Sequence, residues 1–287
     1  MLLAVKVTSA FDRLTRPERV NVLILDDSVI KRNRSKKVEL LARVSDSIDH
    51  RTNGYKFRKS SMMHKTDAAI QLIRNALAVG IKADYVLMDT WFTTEPMLKN
   101  ILDTGIHAIG MVKQLKQRYT YNDRQYTLPG LKKFVDFSGA GNIFGSLIVT
   151  TKTGIPVKIV FVRNRNKKSE CLYLLSTDTS LKDTEIVRIY GNRWSIEYFF
   201  KASKSFLKLG SEFQSRSYGA MVSHTTIVFT RYIILEWLRR NQNDEKTYGE
   251  IFFMYCEVLK CILLMVSFSI FLPAHLYLSL FMLRIRC

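Results

Sequence analysis

Apolar and polar positions divide the chain into a strand-and-helix first part, a β-rich middle and a helical last part. Residues 21–26, Asn-Val-Leu-Ile-Leu-Asp, are a short apolar run closed by an acid, the pattern of a buried strand that delivers a side chain at its C-terminal end. Asp27 follows at once. Further on, Ala69, Ile70, Ile73, Ala76 and Leu77 fall on one helical face, with Thr66 as the expected cap and Gly80 where a left-handed residue should end the helix. A second strand, Tyr85 to Met88, ends in Asp89. Thr94, Glu95 and Pro96 then predict a helix start, and Gly105 a helix end before a strand over Ile106 to Val112.

From Tyr119 to Ser176 the pattern changes to β-branched and aromatic runs, with turn residues at Asn122-Asp123, at Thr153-Gly154 and from Asn164 to Lys168. This predicts a small antiparallel insertion, placed at 113–177. Helical periodicity returns from Asp183: one long helix through Lys204, another over Tyr218 to Arg240, and a third near Tyr248 to Lys260. No internal repeat or low-complexity linker interrupts these elements.

Composition adds a direction. Of 287 residues, 47% are hydrophobic and 24% charged, which fits a folded globular chain and excludes a disordered or fibrous one. Lys and Arg number 44 against 25 Asp and Glu, a net +19 that makes nucleic acid the first partner to consider, ahead of a merely solubilising surface or an anionic membrane. Cys171, Cys256, Cys261 and Cys287 form no CxxC pair, the five histidines show no ligand spacing, and early charges at Lys6, Asp12 and Arg13 leave no secretory core. The segment Cys261 to Met282 carries no Lys, Arg, Asp or Glu and is long enough to span a bilayer. Pro273 interrupts it, however, and the abrupt change of texture reads as continuation in a shifted frame, with a buried core helix as the second account. The expectation is a cytoplasmic, nucleoid-associated protein without stable membrane association.

The densest chemistry lies at 190–204, where Tyr190, Arg193, Glu197 and Lys204 sit at i, i+3, i+7 and i+14 and fall on one face of a continuous helix. One carboxylate beside two cations and a phenol would place a metal-binding acid next to phosphate-binding groups. A surface ion pair between Arg193 and Glu197 explains the same spacing and, taken alone, is the commoner arrangement. The basic clusters from Lys31 to Lys37 and from Arg163 to Lys168 offer tracks for a DNA backbone, or solvated turns.

The order Tyr, two residues, Arg, three, Glu, six, Lys resembles the motif of insertion-sequence-4 DDE transposases, and Ile-Leu-Asp26-Asp27-Ser28 and Val-Leu-Met-Asp89-Thr-Trp-Phe resemble that family's two other acidic motifs. The likeness runs from about Val20 to Lys260. It implies an α/β, RNase H-like catalytic domain over 21–260, with the β-rich insertion between the second and third acids, a residual segment at 1–20 and the apolar tail at 261–287. It also implies Mg-dependent cleavage and strand transfer at insertion-sequence ends, with Asp27, Asp89 and Glu197 as catalytic and metal-binding acids that converge at one sheet edge around two Mg²⁺, or Mn²⁺, ions. Asp26 is the alternative first acid, since on an alternating strand only one of the two neighbours faces the metals. Tyr190, Arg193, Lys201 and Lys204 are the implied DNA contacts, with transposon ends and target DNA as partners and a homodimer as the synaptic unit. Three departures from the pattern point to a degenerate copy: a short segment before the first acid, a junction after Val44 where two strands are expected, and the tail after Lys260.

Overall fold

Two four-residue strands, β1 (Val22–Leu25) and β2 (Tyr85–Met88), lie parallel, and β3 (His107–Val112) continues the parallel set. Parallel neighbours need crossovers, and helices α1 (Lys65–Ala78) and α2 (Glu95–Leu102) lie in the connections that enter β2 and β3. The computed structural model describes residues 9, 19–28, 63–135, 141–164, 167, 170–211, 216–241 and 246–258. Gly80 and Gly105 close the two helices with φ of 89° and 83°, a conformation that glycine adopts without steric cost. Helix α1 begins at Lys65, with His64 rather than Thr66 in the capping position and no side-chain cap bond.

Beyond β3 the sheet turns antiparallel. Strands β4 (Tyr119–Tyr121), β5 (Arg124–Tyr126), β6 (Ile143–Thr150), β7 (Pro156–Arg163) and β8 (Cys171–Ser176) complete an eight-stranded sheet in the order β1-β2-β3-β8-β7-β6-β4-β5. Asn122 and Asp123 both take positive φ, 47° and 60°, as a two-residue hairpin turn matched to strand twist requires. The β-rich middle therefore extends the main sheet through the β3–β8 pair. Among the described residues β1 pairs with β2 alone and forms one end of the sheet. The expected junction after Val44 and the apolar tail fall outside the described residues.

Strand alternation sends side chains to two cores. Leu23, Leu25, Val86, Met88 and Ala108 pack with Ala69, Ile70 and Ile73 of α1 and Met97, Leu98 and Ile101 of α2. Val22, Ile24, Leu87 and Ile109 face the other way, against Ile186, Ile189 and Tyr190 of α3 (Asp183–Gly191). A Val, Leu, Ile or Met among these side chains contributes about 1.5–3 kcal/mol when fully buried, so a one-residue slip of β1 would put each set in the wrong surroundings.

The expected single helix from Asp183 is two: α3, then α4 (Trp194–Ser205). Between them the amides of Asn192, Arg193, Ser195 and Ile196 bond to carbonyls three residues back, at 3.0–3.2 Å. That is the tighter 3₁₀ pattern, favoured here by Gly191 and by Asn192, both poor helix-interior residues. Compact units divide the chain into Met1–Lys201 with Gln214–Met221, and Ala202–Phe213 with Val222–Cys287. In the second, α5 (Tyr218–Asn241) supplies buried Val228, and residues 248–258 are helical. Phe206 packs on Tyr248 and Phe252, with ring centroids 6.0 and 5.6 Å away.

Candidate active site

Register decides which acids meet. Ile24 is paired with Leu87 and Leu25 with Met88, so Asp26 and Asp89 are the next residues beyond the C-terminal ends of β1 and β2, near enough for Asp89 to act on the Asp26 charge. Both continue the parity of Ile24 and Leu87, which face α3. Asp27 continues the parity of Leu25, which faces α1, and forms an ion pair with Lys65 at the start of that helix. The Asp26 side chain is 17% exposed and that of Asp27 51%. The first-acid expectation thus divides: Asp27 is turned toward Lys65, while Asp26 lies among the other candidate groups.

Those groups surround Arg193, in the tightened stretch between α3 and α4. One terminal nitrogen of its guanidinium donates to Glu197 Oε1 at 2.7 Å, and the other stands 4.0 Å from Asp26 Oδ2. The Tyr190 ring centroid is 6.0 Å from the guanidinium carbon and that of exposed Trp194 5.7 Å. Arg193 Nε is buried and has no hydrogen-bond partner among the described residues. A buried, unsatisfied donor on a charged group is costly, so it marks a place suited to an anionic acceptor.

Electrostatics follow from this crowding. Burial raises the Asp26 pKa above the ordinary carboxylate value; the Asp27 amide, which donates to Asp26 Oδ1 at 2.9 Å, and Arg193 oppose the rise, and Asp89 and Asp27 add to it. Burial likewise pushes Tyr190 up to about 12, against Arg193, with Asp89 and Glu197 reinforcing the rise. For Arg193 itself burial acts downward, but Tyr190, Glu197 and Asp26 outweigh it and the pKa moves up. The site is a partly buried cation flanked by acids and a neutral phenol.

Asp89 is held rigidly. Its Oδ1 accepts the amides of Trp91 at 2.9 Å and Phe92 at 3.1 Å, and its carbonyl accepts the Thr93 hydroxyl at 2.6 Å and amide at 3.1 Å. Gly110 in β3 makes this turn fit: a Cβ there would collide with Thr93, which is buried and already committed to Asp89. Thr93, Gly110 and Lys65 carry no motif, but a lone glycine inside an apolar strand is a sequence sign of close backbone approach.

Lys201 and Lys204 are exposed on α4, Lys204 in the second unit. In the basic turn after β7, Lys167 pairs with Glu170 at 3.0 Å and Arg163 lies over the Phe144 ring at 4.9 Å. The Lys31–Lys37 cluster falls outside the described residues. Among the described residues no three His, Cys, Asp or Glu side chains are gathered closely enough to hold one ion. The donors Asp26, Asp89 and Glu197 are all carboxylate oxygens, the ligand chemistry that Mg²⁺ takes. Among the described residues no helix is long and apolar enough to cross a membrane.

A family model described as the transposase DDE domain matches residues 21–234, an interval that includes every group around Arg193. The chain belongs to that family. Transposase DDE domains are phosphoryl-transfer enzymes that typically use divalent metal. No curated protein matches the chain. A solved structure of a piggyBac transposase synaptic complex with hairpin DNA is similar, with 15% identity and a TM-score of 0.37, covering 67% of this chain and 39% of that one. The DDE domain chain thus spans well under half the length of that transposase.

Proposed function

We propose that this chain is the RNase H-like catalytic part of an insertion-sequence-4-type transposase, which cuts and joins DNA strands by direct phosphoryl transfer. The observation that carries the proposal is the parallel pairing of β1 and β2, which brings Asp26 and Asp89 to the same strand ends, with Asp26 beside the Arg193–Glu197 pair. Asp26, Asp89 and Glu197 would hold the metal, Asp26 taking the role that the motif alone allotted to Asp27. Bound there, Mg²⁺ or Mn²⁺ supplies Lewis-acid polarisation of a phosphoryl oxygen and an activated water or 3′ hydroxyl. Arg193 offers its unsatisfied Nε to a phosphate oxygen, Tyr190 remains a neutral donor at physiological pH, and Lys201 and Lys204 add point charges along the strand. A phosphate on Arg193 competes with Glu197, so DNA itself would free that carboxylate for the metal. A second copy of the chain is the expected partner in a synaptic pair.

A non-catalytic DNA-binding remnant is the second reading, favoured by Glu197 being held by Arg193. Cleavage and strand transfer on labelled DNA, with and without Mg²⁺, separate the two. The expected result is metal-dependent cleavage that falls about a hundredfold or more in Asp26→Asn, Asp89→Asn and Glu197→Gln, and less than about tenfold in Asp27→Asn. The reverse order for the two neighbouring aspartates would return the first-acid role to Asp27. Salt-sensitive binding without cleavage would establish the remnant, and cleavage without joining a nuclease of the same fold.

A further inference from the structure

Outside the Arg193 cluster, one exposed group of side chains stands at the mouth of the strand ends. Trp91, two residues beyond Asp89, is 50% exposed, an uncommon state for so large an apolar side chain. It is braced: its amide is held by Asp89 Oδ1 at 2.9 Å and its ring meets that of buried Phe92 edge-on at 4.8 Å between centroids. Lys65 Nζ lies 4.4 Å from the Trp91 ring centroid and is ion-paired with Asp27. An aromatic face, a cation against it and a carboxylate occupying the cation together match one nucleotide of a single strand, with its base, its phosphate and a stand-in for the phosphate.

Resting on the reading of DNA as substrate, we propose that Trp91 and Lys65 form a single-strand nucleotide clamp, Trp91 stacking on an unpaired base next to the cleavage point and Lys65 taking the adjoining phosphate in exchange for Asp27. Bases in duplex DNA are already stacked on their neighbours, so an exposed indole discriminates for the unpaired strand. Charge alone would not, because duplex carries the higher phosphate density. The fixed bond from the Trp91 amide to Asp89 ties the position of the stacked base to one of the proposed metal ligands.

The test is equilibrium binding of the full chain, in chelator so that no strand is cut, to a fluorescent thymine oligonucleotide of about 16 nucleotides and to a duplex of the same length. Trp91→Leu retains apolar bulk and removes the stacking face, and Trp91→Tyr restores an aromatic one. The expected result is a loss of about tenfold for the single strand with Leu, recovery of most of it with Tyr, and a change below about twofold for the duplex. Lys65→Gln should flatten the dependence of single-strand affinity on salt by about 0.7 in log–log slope. Equal single-strand binding by wild type, Leu and Tyr variants overturns the clamp while leaving the transposase reading intact. Absence of binding to either DNA by the wild-type chain overturns both.

Discussion

Tyr85 shows how single groups tune this sheet. Its hydroxyl donates to Asp178 Oδ2 at 2.9 Å, and burial followed by that carboxylate pushes its pKa up to about 12. Asp178 moves the opposite way: burial alone would raise it, but bonds from Ser180 and Tyr85 hold it below 3.8. A raised tyrosine pKa contributes stability that is complete below its unfolded value near 10 and is lost as pH climbs toward 12; a lowered aspartate pKa contributes above 3.8 and is lost as pH falls through the folded value. Tyr85→Phe should therefore lower the thermal midpoint by about 2–4 °C at neutral pH, the effect of one hydrogen bond worth about 1 kcal/mol. The gap between wild type and variant should close as pH rises through 10 to 12. Thermal scans of both proteins across that range check it, and a constant gap would remove Asp178 as the cause.

Among elements, the junction between α3 and α4 is where geometry departs from the simplest helix. Gly191 and Asn192 are exposed, and nothing lies within 4 Å of where a Gly191 Cβ would stand, so the tightened turn is not forced by crowding. Replacing both by alanine should favour an uninterrupted α-helix and raise the thermal midpoint by about 2–4 °C. The same change rotates Arg193 relative to the strand ends, so metal-dependent cleavage should fall by about tenfold although the protein is more stable. Unchanged cleavage in this stabilised variant would show that the turn has no part in aiming Arg193. The spacing of Tyr190, Arg193 and Glu197 suggested the cluster without revealing the turn, because i, i+3 and i+7 share one face of a continuous α-helix and the spacing does not register a local tightening.

For the molecule as a whole, the net charge of +19 sets the expected mode of DNA binding. Phosphates are common to every sequence, so affinity should depend strongly on salt and weakly on base order. Raising monovalent salt from about 50 to 200 mM should weaken binding by about a thousandfold if six or more phosphates are engaged, and scrambling the bases at constant length should change it by less than tenfold. Titrations at several salt concentrations measure both, and a shallow slope or a strong sequence preference would contradict a charge-dominated interface.

The local pattern was sufficient for the strands that lead into Asp26 and Asp89, for the helix stops at Gly80 and Gly105 and for the Asn122-Asp123 hairpin, because each depends on residues adjacent in the chain. Alternation also made clear that Asp26 and Asp27 must face opposite ways. Which of them meets Asp89 was decided only by tertiary structure, since it depends on β1 lying parallel to β2 with Leu25 beside Met88, and on α1 and α3 covering opposite faces. The bridging of Asp26 and Glu197 by Arg193, the room that Gly110 leaves for Thr93, and the meeting of Lys65 with Trp91 likewise join residues far apart in sequence. Period and turn chemistry are properties of neighbours along the chain; register and the face a helix covers are set by packing between segments, where burial of whole apolar sets outweighs any single residue's preference.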